Sequence, residues 1–129
     1  MSRVANMVRF SFEDLDVWQK AVDFAKRVIE LTEEINTSHK HYCLIERLEA
    51  ASTSIALNIA EGKGRHSKKE FIQFLYIARG SLYEAITLLI VFQKVGWIND
   101  SHLEEFKVFA DEIGKMLSSL IASIKRSMS

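Results

Sequence analysis

No proline occurs anywhere in the 129 residues, and there are only five glycines. These two residue types supply most tight turns, so a chain this poor in them cannot make the many reversals of an all-β domain. A few long helices are predicted instead. Hydrophobic residues at 48% and charged residues at 26% give the balance of a packed protein rather than a disordered one. The length suits a single domain over residues 1–129, able to bury roughly two thirds of the surface its unfolded form exposes.

Apolar spacing divides the chain into four segments, over about 14–36, 41–62, 67–95 and 101–126, after an N-terminal extension over about 1–11. The first opens at Ser11 or Asp14, where Ser11-Phe12-Glu13-Asp14 fits a capping box. Leu15, Trp18, Val22, Ala25, Ile29 and Thr32 then recur every three or four residues, one face of a helix. A second row, Val17, Phe24, Val28, Leu31 and Ile35, widens the apolar surface beyond the roughly 100° stripe of an ordinary surface helix. That second row is a candidate subunit interface through Val17, Phe24 and Leu31. The second segment carries Ile45, Leu48, Ser52, Ile55 and Ile59 on one face, with the small run Ala50 to Ser54 open to a close neighbour. Gly62 and Gly64 are expected to end it in the left-handed conformation.

The third segment starts at the capping box Ser67-Lys68-Lys69-Glu70 and is apolar nearly all round. Phe71, Leu75, Ala78, Leu82 and Leu89 make one face, and Ile72, Tyr76, Tyr83 and Ile90 another. A small bundle cannot easily surround one of its own helices, so this second face predicts self-association. In the fourth segment, with Ser101-His102-Leu103-Glu104 as its expected cap, Leu103, Phe106, Ala110, Ile113, Leu117, Leu120 and Ile124 repeat without a break. Short connections make the expected fold all-α, an antiparallel up-down-up-down four-helix bundle.

Lys plus Arg equals Asp plus Glu at 17 each, without the basic surplus of a dedicated nucleic-acid binder. The longest uncharged stretch around the third segment's end is Ala85 to Gln93, too short for a bilayer, and the apolar start is too short for a signal peptide. A cytoplasmic protein with no membrane partner is expected. The single Cys43 lacks a nucleophile's pattern, no His stands three residues after a Glu as in di-iron bundles, and no cofactor or metal site is expected.

Two features remain. Lys63, Arg65, His66, Lys68 and Lys69 cluster just before and inside the start of the third helix. A solvated connector is the plain reading, and phosphate binding is the sharper one. Arg47, Ser54, Asn58 and Glu61 share a flank of the second helix. Glu61 opposes the dipole in the last turn, and Arg79 is its expected partner in a buried structural cluster with Asn58.

Three separated stretches carry a family resemblance. Asp14-Leu15-Asp16-Val17-Trp18-Gln19-Lys20-Ala21, then Ser54-Ile55-Ala56-Leu57-Asn58-Ile59-Ala60-Glu61-Gly62, then Ser67-Lys68-Lys69-Glu70-Phe71 through Ala78-Arg79-Gly80-Ser81-Leu82-Tyr83-Glu84 closely resemble the bundle family named for the 23S ribosomal RNA intervening sequence. The likeness covers about residues 12–98. It implies an antiparallel four-helix bundle assembled into a ring-like homopentamer. Some members are encoded within intervening sequences of large-subunit ribosomal RNA, and a related branch assists a reverse transcriptase in diversity-generating retroelements. For most members no biochemical role is established. Here a common Arg-Arg pair is replaced by Glu49 and Ala50, a usual proline by Ala56, and two usually polar positions by Ile86 and Leu88. The strongly basic retroelement branch therefore fits least well. The expectations are an RNA-associated homo-oligomer or a scaffold for a protein partner. No residue constellation supports an enzyme.

Overall fold

The computed structural model describes residues 7–128; the first six residues of the expected N-terminal extension lie outside the described residues. Four helices follow one another: α1 (Asp16–Glu34), α2 (Tyr42–Lys63), α3 (Lys68–Lys94) and α4 (Asp100–Arg126). Short 3₁₀ turns at Ser11–Asp14 and His39–His41 precede α1 and α2. Each helix packs on two others, in the cycle α1–α2–α3–α4 and back to α1. Side-chain pairs set the directions. Ser54 and Arg47 of α2 meet Ser81 and Glu84 of α3, while Lys20 and Arg27 of α1 meet Glu112 and Glu105 of α4. Position rises on one helix as it falls on its neighbour, so the bundle is antiparallel, up-down-up-down.

The core runs the length of the bundle through Phe24, Val28, Leu48, Ile55, Leu75, Leu82, Leu89, Phe106, Ile113 and Leu117, all at or below 1% exposure. Phe24 meets Phe106 and Phe109 edge-on, with ring centroids 5.7 and 5.3 Å apart. This corrects the interface expectation for α1. Val17, Phe24 and Leu31 lie inside their own subunit, as does Ile72 of α3. The wide apolar surface of α1 serves two neighbours within one chain. Val22 and Ile29, from the other row, are the residues it leaves exposed. On α3, Tyr76 and Tyr83 are exposed and Ile90 is half-buried.

Three helix ends also differ from expectation. Phe10 N–H, not a Ser11 side chain, closes the first turn by donating to Glu13 Oε2 at 2.8 Å. Asn99 Oδ1 caps α4 by accepting from His102 N–H at 2.7 Å, two residues before the expected Ser101. Gly62 is not a terminator. It is buried in α2, and a Cβ there would lie 2.7 Å from Phe74 Cβ and 2.9 Å from Phe71 Cδ1. Its missing side chain lets α3 cross closely. The left-handed glycine is Gly96 (φ 87°), where Trp97 N–H donates back to Phe92 O at 2.9 Å and Gly96 N–H to Gln93 O. Trp97 packs tilted against Phe92 across this Schellman turn, with ring centroids 4.8 Å apart. The Ser67 cap of α3 is as expected, with Ser67 Oγ accepting from Glu70 N–H at 3.0 Å.

By length and composition α3 is long and apolar enough to cross a membrane. In the bundle only 28% of its most apolar stretch is buried. Part of the remainder, including Ile86 and Leu88, is half-buried against the core, and Tyr76, Ile77, Tyr83 and Val91 form an exposed outward face.

Candidate nucleic-acid interface

The connector between α2 and α3 closes one end of the bundle. Lys63, Arg65, His66, Lys68 and Lys69 are all exposed there. The antiparallel order brings the end of α4 to the same place: Lys68 Nζ donates to Ser127 O at 3.3 Å, across 59 residues of sequence. Lys125 and Arg126, in the last turn of α4, therefore join the connector cations. Sequence reasoning missed them, because nothing local ties residue 125 to residue 68. Only the placement of helix ends by the topology could have revealed it.

The patch is not purely basic. Glu61 accepts from Arg65 at 3.2 Å, and Glu70 lies in the first turn of α3. Asp14, at the end of the 3₁₀ turn, and Asp16, at the start of α1, lie at the same end, with Asp14 held by Arg9 at 3.0 Å. Several cations rest on rings. Lys63 Nζ lies 6.0 Å from the Phe71 centroid, and the Arg65 guanidinium carbon 4.8 Å from that of Phe74. Beneath Lys63, Arg65, His66 and Lys68 is a cavity of about 330 Å³, floored by Leu15, Phe71, Leu120 and Ile124.

The expected Glu61–Arg79 pair does not form. Glu61 is exposed and bound to Arg65, the residue one turn onward, and local reach wins over a partner on another helix. Arg79 instead lies over the Tyr76 ring at 4.9 Å. Lys125 approaches the same ring and donates to Tyr76 Oη at 3.0 Å, which holds the phenol below its ordinary value, with Arg79 adding to the effect. Asn58 belongs to a different polar group. Its amide donates to Ser54 O and Oγ at 2.8 and 2.9 Å, and Ser54 Oγ lies 2.9 Å from Ser81 Oγ. That cluster joins α2 to α3. Glu49, which stands where the resembling family commonly has an arginine, takes a hydrogen bond from Thr32 Oγ1 at 2.6 Å. Among the described residues no group of three or more His, Cys, Asp or Glu side chains could hold a metal.

Residues 13–119 match the sequence model of the 23S rRNA-intervening sequence protein family. The chain belongs to this family. The match reaches through most of α4, further than the motifs in α1 to α3 alone carried it. Six chains of known structure are similar. One is a protein of unknown function from the S23 ribosomal protein family of Bacteroides thetaiotaomicron VPI-5482. It is 28% identical, with a TM-score of 0.75 over 81% of this chain and 97% of that one. No curated protein matches. In this 23S rRNA-intervening sequence protein, the connector end gathers cations from α2, α3 and α4.

Proposed function

We propose that this protein is a non-catalytic, cytoplasmic homo-oligomer, a pentameric ring, that binds RNA through the connector end of each bundle. The observation that carries the reading is the meeting of Lys63, Arg65, His66, Lys68 and Lys69 with Lys125 and Arg126 at one end. The family name supports RNA as the ligand, and five subunits is the number the family resemblance implies. Self-association is supported by the outward face of α3, where Tyr83 is 61% exposed and Ile77 51%. A Cβ on Gly80, in the middle of that face, would have nothing within 4 Å, which leaves room for a neighbouring backbone. A ring would repeat the basic end once per subunit, so weak contacts would act together at high effective concentration.

Binding of this kind works by releasing counterions from phosphates, so it is tolerant of sequence and falls steeply with salt. A salt titration of RNA binding by the wild-type oligomer is the test. Binding at about 50 mM salt that is lost toward about 200 mM is expected. If none appears even at the low end, the RNA reading fails. The second reading, a scaffold for a protein partner such as a reverse transcriptase, then takes its place, favoured by the exposed apolar side chains on α3.

A further inference from the structure

We infer that the cavity under the connector receives an unpaired base, so that each subunit prefers single-stranded RNA to duplex. The inference rests on the RNA reading above and concerns what that end selects. If phosphates alone were the ligand, the lysines and arginine would suffice, and the surface between them could be flat and polar. It is neither. Leu15, Phe71, Leu120 and Ile124 are half-buried apolar side chains at the bottom of a hollow rimmed by Lys63, Arg65, His66 and Lys68. Its volume of about 330 Å³ lies within the range of roughly 300–1,000 Å³ usual for small-ligand sites.

This pairing of an apolar floor with a cationic rim matches one nucleotide. A base offers a flat apolar face, and its phosphate sits a few bonds away on the outer side. A duplex keeps its base faces stacked inside and presents its backbone and groove edges, so it can reach the rim but cannot lay a base on the floor. Arg65 already lies over Phe74, and an arginine plane of this kind also accepts a stacked base. The contrast with a larger groove of the bundle is instructive. That groove, of about 740 Å³ between α3 and α4, is flanked by Lys107, Asp111 and Lys115, whose opposed charges suit no particular anion.

The experiment uses the wild-type oligomer and three fluorescent oligonucleotides of equal length, read by anisotropy at about 50 mM salt. They are oligoadenylate, the same ribose-phosphate chain without bases, and an RNA duplex. Oligoadenylate should bind about ten-fold more tightly than either of the others, the usual scale of base stacking on a protein surface. Replacing Ile124→Gln should shrink that preference to about three-fold or less. Equal binding of abasic and normal strands would overturn the cavity inference and leave the phosphate reading standing. Equal binding of duplex and single strand would do the same. Failure of all three ligands to bind would overturn both.

Discussion

The two ends of the bundle are built from the same four helices and treat charge in opposite ways. At the connector end, α2 and α4 finish with Lys63 and with Lys125 and Arg126, cations placed where the helix dipole is negative. At the far end α3 finishes with the single cation Lys94, whereas α1 finishes with Glu33 and Glu34 and has no basic residue in its last turn, so the charges of α1 oppose the dipole. The start of α4 beside it adds Asp100, Glu104 and Glu105. Arg27 forks onto Glu105 at 2.8 and 3.1 Å there, and this contact, with the neighbouring Glu30 and Glu34, raises the guanidinium above its ordinary value. A formal net charge of zero thus conceals a molecule with a basic and an acidic end. Whole-chain charge is a poor guide to what a small bundle can bind, because antiparallel packing sorts helix termini, and the charges on them, into two groups.

The largest expected effect tests whether place matters more than sum. Reversing Lys63, Arg65 and Lys68 to Glu should lower RNA affinity by about a hundred-fold or more, with helicity retained. Reversing Glu33 and Glu34 to Lys at the other end should change it by less than about three-fold. A gain there comparable to the loss would mean that net charge sets the affinity and that the ends are equivalent.

Next is assembly, which belongs to neither end. Tyr83 lies midway along the outward face of α3. Tyr83→Asp should convert the oligomer to monomers by light scattering, with thermal stability of the bundle little changed and RNA binding weakened through lost multivalency. By contrast Phe24→Asp on α1, whose spacing also made it an interface candidate, should unfold the chain, since it would bury an unpaired carboxylate in the core. Oligomers persisting in Tyr83→Asp would remove the α3 face from the interface.

A smaller effect separates two glycines at the connector end. Gly62→Ala should cost about 1–3 kcal/mol in denaturant unfolding, because Phe74 Cβ moves only with its backbone and cannot yield. Gly64→Ala has its nearest neighbour at 3.6 Å and an ordinary helical φ of −81°, so it should be neutral or stabilising by about 0.4–1 kcal/mol. Equal losses would show that the close crossing at Gly62 is not what holds the connector in place.

The smallest concerns Tyr76. An absorbance titration should show one phenol ionising below the ordinary value of 10.0, and Lys125→Met should move it back up. Because the folded value is the lower one, the pH-linked stability from this contact sets in as pH rises through the folded value, is complete above the unfolded phenol's value, and is absent at neutral pH. The readout is therefore the titration itself. A tyrosine titration unaffected by Lys125→Met would mean that the end of α4 does not reach Tyr76, and with it the connector.

How much of this was legible beforehand follows from the range of each interaction. Helices were legible because spacing of apolar residues is local, and their limits fell within a residue or two of 14–36, 41–62, 67–95 and 101–126. The two rows of α1 were legible too, but spacing does not say which row faces inward, and Phe24 was placed on the wrong side. Gly62 and Gly64 look alike as helix enders; only the approach of Phe71 and Phe74 distinguishes them. Glu61 and Arg65 stand four apart, a local spacing already visible in the sequence, and that reach prevails over the expected partner Arg79 on another helix. The five connector residues stand together within seven positions of the sequence. Lys125 and Arg126 stand far from them, and only the tertiary fold makes them neighbours.

The cycle of packed helices has one more consequence, for the order of events when the chain folds. Three of its four contacts join helices consecutive in sequence, and the fourth, α1 on α4, must close a loop of most of the chain. Pairs of adjacent helices form at little entropic cost, while the distant one waits for the rest. Arg27–Glu105 and Lys20–Glu112 should thus be among the last contacts made and the first lost. Pulse-labelled amide exchange during refolding should find α2 and α3 protected before α1, and the reverse order would show that folding starts at the closing seam instead.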